Sequence, residues 1–194
     1  QFTEILAAAS DGAVQIGQRL ELLGHVLAGD VAGLPEADRL QARADARRML
    51  EQMLKDQRKR GHLGLLPWLR LNHGGRPAGA EHGFIDNANL SASVMAFLGS
   101  VARAGGDTRL EQAARRFLDA QTPGYAALFD AEKGLFWGAL RPGHPPSGYH
   151  VDRFFSEHRA KTAAVVAYFG RADPALDAAF LGLKPVYRDY ALAD

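Results

Sequence analysis

The sequence predicts an all-α fold of helical hairpins carrying one small β-hairpin, and three observations predict it. Apolar residues recur at three- and four-residue spacing along most of the 194 residues. Gly61, Gly105-Gly106, Gly170 and the Asp173-Pro174 pair fall where those runs stop or start. In one place only, Ala127 to Gly138, the helical spacing gives way to two short extended runs around a turn.

Taken in order, Ile16, Leu20, Leu22, Leu23, Val26 and Leu27 make an apolar segment that ends near Gly29. Pro35 with Glu36 and Asp38 opens a second helix, since proline suits the first turn and acids suit the positive end of the helix dipole. Leu40, Ala44, Met49, Met53 and Leu54 carry it to about Arg60. A third helix is expected from Asn89 to Ala104 and a fourth from Asp107 to Ala120. The hairpin near 127–138 follows, then a fifth helix from His150 to Phe169 and a sixth from Pro174 to Leu183. The connections Gly61 to Ala88 and Arg141 to Tyr149 are long and rich in Gly, Pro, His and aromatics, a composition typical of functional loops.

Composition narrows the function. With 47% hydrophobic residues the chain can bury a core, and a net charge of +1 makes no electrostatic case for nucleic acid or a polybasic membrane contact. There is no apolar run of about 18 residues that would span a membrane. The absence of cysteine excludes disulfides, thiol nucleophiles and cysteine-bound zinc. No cofactor fingerprint is present, and the histidines form no i,i+4 pair that would suggest a metal site. Because the chain begins at Gln1 and not at Met, an upstream segment is expected to have been removed, either a cleaved secretory signal or a piece lost at another proteolytic boundary.

Two polar clusters could carry chemistry. In Phe84-Ile85-Asp86-Asn87-Ala88-Asn89-Leu90-Ser91, Asn89 suits an N-cap, and Asp86 either shares that task or binds a hydroxyl-rich ligand. In Phe154-Phe155-Ser156-Glu157-His158-Arg159, three charged or polar neighbours fan around an apolar helix. Glu157 either forms a surface salt bridge, with Lys161 four residues on, or lies in a cleft with a raised pKa, able to donate a proton. Arg159 lies about 200° round the helix from Glu157 and is not its same-face partner. Trp68 and Tyr149 sit in polar glycine-rich stretches where an aromatic face could stack on a sugar, and His150 adjoins Tyr149.

The order of these motifs is distinctive. A Leu66-Pro67-Trp68 loop precedes Phe84 to Leu90; a Leu128-Phe129-Asp130…Gly134 to Gly138 hairpin follows, and then Ser156-Glu157-His158-Arg159. Together they resemble the glucoamylase-like glycoside hydrolases with an (α/α)₆ toroid, nearest to bacterial endo-β-1,2-glucanases and the related domain of cyclic β-1,2-glucan synthases. Those carry segments of the form Val-Asp-x-Gly-Asn-Leu and Ser-Glu-Ala-Arg; here Ala88 replaces the Gly and His158 the Ala, and Asp86 and Glu157 are 71 residues apart. The resemblance covers roughly residues 65–169.

The resemblance implies helix pairs around a central cleft, with Glu157 as general acid and Asp86 lining the sugar-binding subsites; Asp86 is also the second candidate catalytic residue. Asn89, Trp68, Tyr149, Arg159 and His150 would line the subsites for an oligo- or polysaccharide. A full toroid takes twelve helices, and the sequence supports six in 194 residues. The chain is therefore expected to be a single incomplete toroid domain, its N-terminal half, periplasmic or secreted. Its open edge would be covered by a C-terminal half, a second chain or self-association. A non-catalytic carbohydrate-binding or helical interaction subunit is the alternative.

Overall fold

A computed structural model describes residues 12–67, 81–151, 165 and 167–170. Among them are five helices: α1 (Ala13–Ala28), α2 (Glu36–Arg60), α3 (Phe84–Arg103), α4 (Thr108–Asp119) and α5 (Thr122–Leu128). Four short strands accompany them: β1 (His82–Gly83), β2 (Phe129–Asp130), β3 (Leu135–Leu140) and β4 (Ser147–His150). The all-α fold with a hairpin inside 127–138 is what the sequence predicts.

The helices form two layers. α1 lies against α3 through small residues two turns apart: a Cβ on Gly17 would come within 2.6 Å of Ser93 Oγ, and one on Gly24 within 3.0 Å of Ser100 Cβ. Both contact positions advance in the same chain direction, so the two helices run parallel. α2 and α4 do likewise on the other layer, with Arg43 beside Asp107 (3.5 Å) near their starts and Gln57 Nε2 donating to the Phe117 carbonyl (2.9 Å) near their ends. This alternation, one layer of parallel helices within another, is the construction of an (α/α) toroid. The core lies between the layers, where Leu20, Leu23, Leu50, Phe97, Leu110 and Phe117 are all but fully buried.

Local chemistry sets the helix ends. Gly29 stops α1 at φ +79°, a conformation open to glycine without cost. Asp107 caps α4, its carboxylate accepting the amides of Arg109 (3.1 Å) and Leu110 (3.2 Å). α2 ends in Arg58, Lys59 and Arg60, cations that suit the negative end of its dipole.

Three elements depart from expectation. α3 starts at Phe84 and Gly83 caps it, so Asn89 is a buried residue inside the helix and not its N-cap. The cause is tertiary: Phe84 is fully buried, stacked 4.5 Å from Phe136 and edge-on to Tyr125, which draws the first turn into the core. α5 is an extra short helix. His150 ends β4, because its strand pairs with β3 at Trp137 and the next amide, Val151, donates to the Phe136 carbonyl at 2.7 Å. The expected fifth helix does not begin there, although residues 167–169 are helical. The expected sixth helix lies outside the described residues.

Candidate functional site

The best-defined polar cluster is at the start of α3, where the β-strands, the 61–67 loop and the helix meet. β3 is the central strand, pairing antiparallel with β1, β2 and β4. The β1 register, His82 with Leu140 and Gly83 with Ala139, delivers the chain into α3 immediately before Asp86. Glu81, next to β1, pairs with Arg141 just past β3 and reinforces that delivery.

Asn87 fixes the other side of the junction. Its Nδ2 donates to the carbonyls of Leu66 (3.0 Å) and Gly83 (2.8 Å), and its Oδ1 accepts the Leu66 amide at 2.8 Å. One side chain thus binds the 61–67 loop, β1 and α3 together. The sequence reading grouped Asn87 with a cap cluster and missed this role. The signal was an asparagine directly after an aspartate, one residue too many for a single cap.

With Asn87 engaged in the core, Asp86 and Asn89 are left on one face of α3, three residues apart. Asp86 is partly buried, and that burial raises its carboxyl above the usual carboxylate range even though it sits in the first turn of a helix. Asn89 is 8% exposed, and its Oδ1 has no hydrogen-bond partner among the described residues. A costly carboxylate beside an unsatisfied carbonyl oxygen is an arrangement found where a ligand supplies the missing donors.

The raised carboxyl has a consequence for stability. A folded-state pKa above the unfolded one means that folding favours protonated Asp86; this contribution is present below the unfolded pKa and is lost as pH rises through the folded value. At neutral pH the carboxylate therefore costs stability. Asp86→Asn is expected to melt at a higher temperature than the wild type at pH 7, with the advantage vanishing below about pH 4, near the ordinary aspartate pKa. Thermal melts at the two pH values check this.

The other sequence candidates are placed as follows. His150 lies in β4 with its Nε2 2.8 Å from Asp130 Oδ2 and its ring 3.7 Å from that of Trp137. Tyr149 precedes it in β4, with its side chain outside the described part. Trp68, Glu157 and Arg159 lie outside the described residues; among the described candidates, Asp86 and Asn89 share one face of α3. Asp130, placed in the hairpin by the sequence but given no role there, accepts the amides of Glu132 (3.1 Å) and Lys133 (3.2 Å); its hydrogen bond with His150, together with these two, holds its carboxyl below the usual range. An Asp four residues before a turn glycine was the available signal. Among the described residues no group of three metal-ligating side chains occurs, and no helix is long and apolar enough to cross a membrane.

The fold defines a class: part of an (α/α) toroid. Among solved structures, the chain is similar to the endo-β-1,2-glucanase from Talaromyces funiculosus, solved in complex with sophorose, with a TM-score of 0.68 and 18% sequence identity. The match covers 95% of this chain and 43% of the glucanase, so the chain spans less than half of that protein's length. No protein-family model and no curated protein matches the chain.

Proposed function

We propose that this chain is the N-terminal half of a glycoside hydrolase-like (α/α)₆ toroid that cleaves or remodels a bacterial β-glucan, with β-1,2 linkages the first to test. The observation that carries the reading is the Asp86–Asn89 pair, a partly buried carboxyl and an unsatisfied amide oxygen, set at one end of a toroid helix. The similarity to an endo-β-1,2-glucanase supports the fold on which that pair is displayed.

In this reading Glu157 is the general acid. It protonates the leaving glycosidic oxygen as the bond to the anomeric carbon breaks; water adds its hydroxyl to that carbon and gives its other proton to a second carboxylate, expected from the C-terminal half. Asp86 and Asn89 accept hydrogen bonds from sugar hydroxyls. Trp68 and Tyr149 offer faces to the rings, and Arg159 adds a charged donor. The protein acts in the periplasm or outside the cell. The chain forms one incomplete toroid domain, whose open edge is covered by a C-terminal half, a second chain or self-association.

Calorimetric titration of the full-length Glu157→Gln protein with linear β-1,2-gluco-oligosaccharides tests the binding half of the proposal while no bond is cleaved. Binding is expected, and adding Asp86→Ala should weaken it by about ten- to a hundredfold, the loss of one hydrogen bond to a charged group. Binding indifferent to Asp86 would remove the α3 pair from the site.

A further inference from the structure

α3 begins without a cap of the usual kind. Gly83 has no side chain to accept the first amides, whereas Asp107 does so at the start of α4. Among the described residues, the side chain that hydrogen-bonds this first turn to the rest of the molecule is Asn87, which is only 1% exposed. Its amide meets the Leu66 peptide much as one strand residue meets another. Oδ1 accepts the Leu66 N–H (2.8 Å), one Nδ2 hydrogen goes to the Leu66 carbonyl (3.0 Å) and the other to the Gly83 carbonyl (2.8 Å). The task needs a donor and an acceptor in one flat group. Aspartate would set a second carboxylate oxygen against the carbonyls of Leu66 and Gly83.

The residue that Asn87 grips lies against the site. A Cβ on Gly83 would stand 3.8 Å from Asp86 Oδ2, an ordinary van der Waals distance. The Leu66 peptide is a firm support, because its loop is tied to α2 by the bond from Gln57 Nε2 to the Gly64 carbonyl (2.8 Å). We propose that Asn87 is a positioning residue for Asp86: it clamps the first turn of α3 to the Leu66 peptide and so fixes where the Asp86 carboxylate stands. Asn87 is buried with its amide fully engaged by the protein, so it does not touch the ligand itself. The inference rests on the reading of Asp86 as a sugar-binding residue, and adds a residue outside the site on which affinity depends.

Phe84 anchors the same turn by packing, fully buried against Phe136 and Tyr125. If that packing sufficed, loss of Asn87 would cost stability and leave binding alone. A double-mutant cycle separates the two cases, because residues that act through one another do not give additive losses.

The experiment is calorimetric titration of the full-length Glu157→Gln protein with linear β-1,2-gluco-oligosaccharide, adding Asn87→Ala, Asp86→Ala, both together, or Gln57→Leu. Gln57→Leu is the control: it removes bonds to the Gly64 and Phe117 carbonyls and none to α3. Asn87→Ala is expected to weaken binding about five- to tenfold, and Gln57→Leu less than about twofold. Once Asp86 is alanine, Asn87→Ala should add less than about twofold. Additive losses in the double variant, or equal losses in Asn87→Ala and Gln57→Leu, overturn the proposal. Should Asn87→Ala not fold, Asn87→Ser takes its place and is expected to weaken binding to the same degree. A serine hydroxyl can return to the carbonyl four residues back, Gly83, while the Leu66 bonds stay broken.

If the parent protein binds no glucan, the sugar-binding reading of α3 fails separately, and the Asp86 carboxyl resonance followed against pH in the unliganded protein decides. Burial holds that carboxyl above the usual range. In Asn87→Ala it is expected to fall back towards the ordinary aspartate value, and in Gln57→Leu to stay raised. An Asp86 titration unchanged by Asn87→Ala overturns the proposal.

Discussion

Gly64→Ala should destabilise the protein by more than about 3 kcal/mol, enough to lower its melting temperature by roughly 6–12 °C in a chain of this size. Gly64 has φ +80°, and a Cβ there would lie 1.7 Å from the Ala120 carbonyl oxygen, 2.3 Å from its carbon and 2.8 Å from the Gln121 nitrogen. All three are backbone atoms at the α4–α5 junction, so no side chain can swing aside. Displacing the loop would also break the bond from Gln57 Nε2 to the Gly64 carbonyl (2.8 Å) and the paired backbone bonds between His62 and Leu65 (2.9 and 3.0 Å). It would lift Leu65, which is fully buried, off Gly124, where a Cβ would meet the Leu65 side chain at 2.4 Å. Gly143→Ala is the control: its φ is +75°, but nothing lies within 4 Å, so only the backbone cost of about 1–2 kcal/mol applies. Thermal or urea melts of the two variants separate clash from conformation. Equal losses would mean that the 61–67 loop yields, and that its anchoring beneath α3 is not rigid.

That loop also shows where the sequence was legible and where it was not. α2 and α4 were readable because their amphipathic spacing and their caps agree: Glu36 and Asp38 at one start, Asp107 at the other. The start of α3 was not, because a run containing Asp86, Asn87 and Asn89 looks like a cap, while the positions that fix the helix are Phe84, Ala88, Val94, Phe97 and Val101, an apolar series that already begins at Phe84. The 61–67 loop owes its conformation to distant groups, Gln57, Asn87 and the Ala120 carbonyl, and none of these contacts leaves a local pattern. His150 was assigned to a helix for the same reason, since the pairing with Trp137 that makes it a strand residue spans thirteen positions.

The site divides in a similar way. Asp86 and Asn89 stood out because a polar pair at an apolar helix start is unusual, and burial then explains why Asp86 is costly. Asp130 did not, since Asp-Ala-Glu-Lys-Gly is an ordinary turn sequence and its bond with His150 appears only when β4 returns beside it. The parallel layering of α1 with α3 and of α2 with α4 was available from the sequence only through the resemblance, because helix direction in space is set by packing and not by periodicity.

Glu157→Gln should lower turnover by at least about a hundredfold while leaving the fold intact. Glutamine has nearly the shape of glutamic acid and no proton to give, and positioned general acids are worth about 10²–10⁴ in rate. Substrate affinity should change little, because the acid acts on charge that develops in the transition state, so the loss belongs in kcat and not in KM. The measurement that tests the account most directly is therefore release of reducing ends from linear β-1,2-glucan by the full-length protein and by its Glu157→Gln form, at matched folding by circular dichroism. The account predicts turnover by the wild type and a drop of at least about a hundredfold in the variant; equal turnover by the two would contradict it.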